Sequence, residues 1–228
     1  MIVGAAELEA VLAIAPALPA GLDNWWAPRW NVAPNQPVRA VTARDGAPQL
    51  TLARWGLTMP SHGAKRPQFA AFPSETAAVK PLLRNALSKR RCLVIADGFY
   101  AWHRDGKARP PVRFAPRDEG DGRAVTLAAI ARGRQHEGAW LEEVALLTTA
   151  ADALVASVDD RRPVVIGASQ RERWLDAAFL ADAVLDLLAP CALSGWEAVE
   201  APPWINSPRL EQHAAEPSQP AQTSLVGF

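Results

Sequence analysis

The sequence predicts an α+β fold in which one antiparallel sheet or barrel is flanked by helices. Short apolar runs, separated by Asp-Gly and Pro-Pro pairs, recur through the middle of the chain and indicate successive strands. These runs are 92–96, 98–102, 111–115, 124–131 and 143–148. Two longer segments carry apolar residues at helical spacing. No internal repeat or sharp change in composition divides the chain, so we expect one domain over 1–208 followed by a flexible tail at 209–228.

The first third of the chain predicts a short helix and a β-hairpin. Residues 4–14 carry leucine and valine at helical spacing before two prolines that end the segment. Two β-rich runs, 38–43 and 49–55, then flank the turn signal Asp45-Gly46. The loop at 58–74 is rich in Pro, Gly and Ser.

Two further helices are predicted on either side of the strand runs. The segment 75–88 places Val79, Leu82, Leu83 and Ala86 on one face. Near the C-terminus, a short strand at 164–166 precedes Ser169 and Glu172, which have capping-box spacing. An apolar face that includes Trp174 then predicts one core helix that continues until Pro190.

Charge and cysteine content limit the function classes. The 228 residues include 24 basic and 24 acidic side chains, so no sequence-wide charge favours nucleic acid. No run of 18 apolar residues is present, and we expect no membrane contact. Cys92 and Cys191 do not form a disulfide framework, so we expect both to be buried thiols of a cytoplasmic protein.

The common cofactor, nucleotide, zinc and serine-hydrolase motifs are absent from the sequence, so we expect neither a cofactor nor a metal. His103 follows a predicted strand and is either a titrating group or a solvated turn residue. Asp159 and Asp160, which precede two arginines, form either an acid/base pair or a salt-bridged turn.

A basic segment and several tryptophans are candidate nucleic-acid contacts. The segment 76–96 contains five bases and no acid, which fits either a phosphate-binding patch or a solvated helix face. Its bases are Lys80, Arg84, Lys89, Arg90 and Arg91. Trp25 and Trp26 lie in a Pro-flanked loop and are candidate exposed contacts. The tryptophans expected in the core are Trp30, Trp55, Trp102, Trp140 and Trp174.

A collinear series of short motifs extends over nearly the whole chain. The series comprises RWNVAP from Arg29, RWGL from Arg54, ETA from Glu75, RCLVIADGFYAW from Arg91, LTTAAD from Leu147, DDRRPVVI from Asp159 and NSPR from Asn206. This series resembles the SRAP family, the abasic-site processing proteins also called SOS-response-associated peptidases. The resemblance implies a single α/β domain built around a barrel-like antiparallel sheet, with a positively charged channel for single-stranded DNA.

The resemblance also implies a specific chemistry in active members. The cysteine after the initiator methionine condenses, through its amine and thiol, with the ring-opened sugar of an abasic site. An asparagine, a glutamate and a histidine assist this reaction. The corresponding positions in this chain are Ile2, Ala71, Ala101 and Asp159. Ile and Ala side chains cannot attack a carbonyl or transfer protons, so we expect a non-catalytic family member.

Two further positions of the family pattern are altered. The phosphate-gripping arginine of the family is Pro73, and the base-stacking Pro-Gly-Trp-Trp loop of some members reads Pro60-Ser-His-Gly63. The alternative function is a single-stranded DNA or abasic-site binding protein, with weak binding or residual crosslinking. The residues expected to contact DNA in that case are Pro34, Arg84, Arg90, Arg91, Thr148, Arg161 and Arg162.

The C-terminal tail suggests a protein partner. Gln222, Leu225 and Phe228 have a spacing that loosely resembles the short peptides by which repair proteins bind sliding clamps. A chance match is the alternative interpretation, because the pattern lacks the usual second aromatic residue. The partners expected on this hypothesis are a sliding clamp, or DNA-repair and translesion-synthesis proteins.

Overall fold

The computed structural model describes residues 29–44, 47–60, 66–104, 110–117, 124–136 and 139–207. Several sequence predictions lie outside these described residues. They concern Ile2, the helix at 4–14, Trp25, Trp26, the turn at Asp45-Gly46, the 209–228 tail, and its Gln222, Leu225 and Phe228.

Most strands belong to one large sheet. Its members are β1 (Pro37–Arg44), β2 (Ala47–Trp55), β5 (Ala71–Pro73), β6 (Arg91–Ala96), β9 (Val125–His136), β10 (Ala139–Ala150), β11 (Arg161–Pro163) and β12 (Val165–Ile166). The strand order is β11-β10-β2-β1-β6-β9-β12, and β9 also pairs with β10. That last pairing closes β10, β2, β1, β6 and β9 into a ring. The predicted barrel-like sheet with flanking helices is therefore confirmed.

Two pairings in this sheet are parallel, which the prediction of an antiparallel sheet did not include. Strand β10 runs parallel to β2, with Glu143 opposite Arg54, and parallel to β5, with Leu146 opposite Ala71. The other pairings are antiparallel, among them the predicted hairpin, in which Pro37 of β1 faces Arg54 of β2.

Three strands form a separate sheet instead of extending the ring. They are β7 (Phe99–Ala101), β8 (Val112–Pro116) and β13 (Trp196–Glu200), in the order β13-β8-β7. The prediction that 98–102 and 111–115 continue one sheet was therefore wrong. The chain leaves the ring at Gly98, where a Cβ atom would clash with the carbonyl oxygen of Phe114. A third, two-stranded sheet consists of β3 (Leu57–Thr58) and β4 (Gln68–Phe69).

The helix predicted over 75–88 is two helices, α1 (Ser74–Val79) and α2 (Pro81–Lys89). Lys80 between them is extended, because the ring of the following proline disfavours the helical conformation in the residue before it. This break changes the buried face. Leu83 and Leu87 are buried, whereas Val79 and Leu82 are exposed.

The single core helix predicted over 169–188 was also wrong. The segment contains a 3-10 turn at Ala168–Gln170, helix α3 (Arg171–Leu175) and a second 3-10 segment at Ala181–Leu188. The helix ends at Asp176, whose backbone is extended and whose carboxylate accepts a hydrogen bond from the Ala178 amide at 2.8 Å. Local bonds of this kind compete with the helix for backbone groups.

Arg91 stabilises this break from inside the protein. It is only 5 % exposed, and its guanidinium donates to the carbonyl oxygens of Trp174 at 2.5 Å, Asp176 at 2.5 Å and Phe179 at 2.8 Å. It also donates to the carbonyl oxygen of Leu87 at 2.6 Å. Arg91 therefore connects the end of α2 to the broken segment that follows α3.

The strands of the ring separate two apolar layers. One layer contains Ala40, Cys92, Val94, Ala129 and Val144, all from strands of the ring, and fills its inside. The other contains alternate residues of the same strands and packs against the helices. Trp174 is fully buried in this outer layer, as predicted.

Three predictions about burial need correction or qualification. Trp102 is 44 % exposed, so its predicted place in the core was wrong. Cys191 is exposed, whereas Cys92 is buried, and burial raises the pKa of the Cys92 thiol. Trp30 and Trp55 are half-buried. Within the described ranges, no helix is long and apolar enough to cross a membrane.

We expect Arg91→Ala to lower the free energy of unfolding by at least about 3 kcal/mol, because it leaves several buried carbonyl groups without a donor. Chemical denaturation followed by circular dichroism measures this change. The neighbouring Arg90 is exposed at the end of α2. Arg90→Ala is therefore the matched control, with an expected change within about 0.5 kcal/mol. Equal effects of the two substitutions would contradict the structural role of Arg91.

Candidate functional site

The candidate site lies at the C-terminal end of β10, where three strands meet. Thr148 of β10 faces Pro73 of β5 on one side and Pro163 of β11 on the other. Ala71 lies two residues before Pro73 on β5, opposite Leu146. Strand pairing thus brings the β5 residues and the arginines of β11 to one edge of the ring.

Arg161 is the organising side chain of this edge. Its Nη2 atom donates to a carboxylate oxygen of Glu75 at 2.8 Å and to the Thr148 carbonyl oxygen at 2.7 Å. Its Nε atom donates to Thr148 Oγ1 at 3.0 Å. Burial alone would raise the pKa of Glu75, but hydrogen bonds from its own backbone amide and from Arg161 lower it. Arg161 therefore ties the start of α1 to β10 and β11.

Asp159 is held by donors from two segments. Its Oδ1 atom accepts a hydrogen bond from the Arg161 amide at 3.1 Å and lies 2.9 Å from Arg104 Nε. Arg104 Nη1 also lies 2.9 Å from an oxygen of Asp160. This arrangement matches the salt-bridged turn that was one interpretation of the Asp159-Asp160 pair. Because Arg104 follows β7, these ion pairs join the small sheet to the segment before β11.

Ala101 lies in an apolar cluster. The residue is 6 % exposed and is grouped with Val112, Val155 and Val158. Val158 directly precedes Asp159, so the same packing supports both positions. The Ala101 methyl group is part of the packing between β7 and the segment 155–158.

The structure divides the predicted DNA-contact residues into three groups. Thr148 and Arg161 lie together at the candidate site, and Arg161 is 29 % exposed. Pro34, Arg84 and Arg90 lie elsewhere: Pro34 is exposed in the turn before β1, Arg84 pairs with Asp182 at 2.5 Å, and Arg90 ends α2.

The remaining two arginines, Arg91 and Arg162, do not fit a DNA-contacting role because both are buried. Arg162 is 1 % exposed and donates to the carbonyl oxygens of Pro163 and Cys191. Arg91 likewise donates to backbone carbonyl oxygens. Arg91 and Arg162 therefore lie in the interior and not on an exposed DNA-contact surface.

Sequence analysis missed two groups of residues that the structure brings together. Arg104 gave no signal beyond its position before an Asp-Gly pair, and its partners lie more than 50 positions away. The exposed Trp102 indole donates to Asn206 at 2.7 Å, which connects β7 to the last described turn.

In the part of the chain that the structure describes, no three His, Cys, Asp or Glu side chains form a metal-binding group.

Comparison with known proteins identifies relatives along the same span. A family model described as SOS response associated peptidase (SRAP) matches residues 5–208. The abasic site processing protein YoaM of Bacillus subtilis is 28% identical over 190 residues, covering 80% of this chain and 81% of the relative. The abasic site processing protein YobE of the same organism is 29% identical over 195 residues, covering 82% of this chain and 86% of the relative.

Solved structures share the fold at lower sequence identity. A protein from Bacteroides thetaiotaomicron superposes with a TM-score of 0.70 at 19% identity, covering 94% of this chain and 99% of its own. A protein from Bordetella bronchiseptica superposes with a TM-score of 0.67 at 22% identity, covering 87% of this chain and 96% of its own. These likenesses concern the fold alone. With the family model matching almost the entire length, the chain belongs to the SRAP family.

Proposed function

We propose that this protein is a non-catalytic member of the SRAP family that serves as an accessory or protein-interaction module in the response to DNA damage. The family description refers to the SOS response, and the curated relatives are named for abasic site processing. These names support a role connected with DNA damage.

The observation that carries the proposal is the state of Ala71, Ala101 and Asp159. Two of these side chains are methyl groups, which neither accept nor release protons. The Asp159 carboxylate is positioned by Arg104 and by the Arg161 amide. The asparagine, glutamate and histidine of active members therefore have no functional substitutes at these positions. The residue that forms the mature N-terminus does not change these three positions.

The retained framework supports a binding role. Arg161, Thr148 and Glu75 form a connected network, and Ala101 lies in a well-packed cluster. Such a network fixes the relative positions of α1, β10 and β11 without supplying a nucleophile. A rigid surface with no reactive group is suited to recognition of a partner.

We expect no covalent product when the full chain is incubated with single-stranded DNA that contains an abasic site, because the methyl groups of Ala71 and Ala101 cannot transfer protons. A denaturing gel of labelled DNA measures this. A family member that carries the cysteine after its initiator methionine is the positive control. A shifted band that survives denaturation in this chain would reject the non-catalytic assignment.

A second candidate function is non-covalent binding of single-stranded DNA. The exposed Trp102 favours it, since the face of an accessible indole can stack on a base. Fluorescence anisotropy with the same labelled strand, before denaturation, separates this function from the first. Binding that weakens as salt increases would support it, and absence of binding at micromolar protein would reject it.

We propose the C-terminal Gln222, Leu225 and Phe228 as contacts for a sliding clamp. If they bind in this way, removing 222–228 should abolish heat release on titration with the clamp, because an apolar anchor pair provides most of the affinity of such peptides. Isothermal titration calorimetry compares the full and shortened chains. Equal binding by both chains, or no binding by the full chain, would reject the clamp hypothesis.

A further inference from the structure

Three arginines meet at the N-terminal half of β10, at a distance from the candidate site. Arg54 of β2 and Arg132 of β9 both lie opposite Glu143 of β10. Arg134 lies two residues beyond Arg132, so its side chain is on the same face of the strand. We call these three residues the arginine cluster.

Glu143 contacts two members of the arginine cluster, and its hydrogen-bonding capacity is used. Its side chain is fully buried, and its Oε1 atom accepts from Arg54, from Arg134 Nε at 2.8 Å and from Thr58 Oγ1 at 2.9 Å. Its Oε2 atom accepts from the Thr58 amide at 2.8 Å. Burial alone would raise the pKa of Glu143, but the hydrogen bonds from Arg134, Thr58 and Arg54 lower it.

The cluster therefore carries more positive charge than Glu143 can balance. Two guanidinium groups pair with the Glu143 carboxylate, the third donates to the neighbouring Thr58 carbonyl oxygen, and an arginine remains protonated in proteins. Arg132 makes a single hydrogen bond within the described ranges, from Nη1 to the Thr58 carbonyl oxygen at 3.0 Å. If the cluster served only to neutralise Glu143, Arg132 would be superfluous.

Several donors of the cluster remain unused. The Nε atom of Arg54 is buried and has no hydrogen-bond partner among the described residues. Arg134 donates to the described residues through its Nε atom alone. Buried N–H groups without partners are rare in folded proteins and often indicate an absent water or ion. Arg54 and Arg134 are each 22 % exposed, so a small anion could reach the cluster from solvent.

We propose that the arginine cluster binds a phosphate group. Counted over the described residues, the three arginines exceed the Glu143 carboxylate by two positive charges, which suits a multiply charged oxyanion, and guanidinium groups bind phosphate oxygens through paired N–H donors. The phosphate can belong to a small molecule or to the backbone of a nucleic-acid strand, because the cluster recognises the same oxygens in both.

This site is separate from the candidate site at the other end of β10. Glu143 precedes Thr148 by five residues, which corresponds to about 17 Å along an extended strand. No residue of the cluster is in contact with Arg161, Glu75 or Asp159. The proposal therefore goes beyond the proposed function and does not depend on whether the candidate site is catalytic.

Titration of the full chain with inorganic phosphate tests this inference. Isothermal titration calorimetry gives the affinity, and thermal unfolding in phosphate is compared with unfolding in chloride at equal ionic strength, since a ligand of the native state raises its stability. We expect Arg132→Gln to weaken phosphate binding about tenfold, because it removes a charged donor. Arg132 contacts only a carbonyl oxygen, so this substitution leaves the Glu143 hydrogen bonds in place.

Arg117→Gln is the matched control, because Arg117 is exposed and directly follows β8, outside the arginine cluster. It should leave phosphate binding unchanged. Stabilisation by phosphate no greater than by chloride, or equal phosphate affinity in the Arg132→Gln and Arg117→Gln variants, would overturn the proposal. Thermal unfolding in chloride verifies that each variant is folded.

A second experiment distinguishes a nucleic-acid backbone from a small phosphate compound as the ligand. The same variants are titrated with a labelled single-stranded oligonucleotide by fluorescence anisotropy. If the site binds a nucleic-acid backbone, Arg132→Gln should weaken oligonucleotide binding by a factor similar to its effect on phosphate. If oligonucleotide binding is unchanged while phosphate binding is weakened, the site takes a small phosphate compound.

Discussion

Strand β10 is the element on which the described fold depends, because it pairs with four other strands. It closes the ring through β2 and β9, and its C-terminal half holds β5 and β11. The backbone N–H and C=O groups of such a central strand need hydrogen-bond partners along its whole length. The parallel pairings place β5, and the helix α1 that follows it, beside the arginines of β11. The geometry of the candidate site is therefore a consequence of how the ring closes.

The same strand organises two polar clusters of different character. Toward its start, the Glu143 carboxylate pairs with Arg54 of β2 and Arg134 of β9. At its end, Thr148 and the Glu75 carboxylate both accept hydrogen bonds from Arg161. The start of β10 therefore offers guanidinium donors, whereas near its end Ala71 lies where the family resemblance implies an asparagine.

Local sequence patterns predicted the strands well but not where the chain leaves regular structure. The hairpin and most strand runs were identified because alternating apolar residues and turn signals act over a few positions. The break at Lys80 could have been predicted from Pro81. The break at Asp176 could not, because it depends on Arg91, which binds carbonyl groups more than 80 positions away.

Long-range contacts also explain what the sequence could not show about the predicted site residues. Basic character in 76–96 suggested that Arg91 faces solvent, and only the tertiary structure reveals that its partners are interior carbonyls. Likewise, Arg104 and Asp159 are separated by 55 positions and meet only because β7 packs beside the segment before β11. The assignment of Ala71, Ala101 and Asp159 to the family's reactive positions rests on the motif series and stays a prediction.

We infer that Ala101, at the position to which the SRAP resemblance assigns a glutamate, serves in this chain as part of the apolar packing. The free energy of unfolding of Ala101→Glu, measured by chemical denaturation beside Ala101→Ser, tests it most directly. A glutamate at this position would place a carboxylate among the apolar side chains of Val112, Val155 and Val158. We predict a loss of at least about 3 kcal/mol for Ala101→Glu. A loss below about 1 kcal/mol would contradict burial of this position in an apolar cluster.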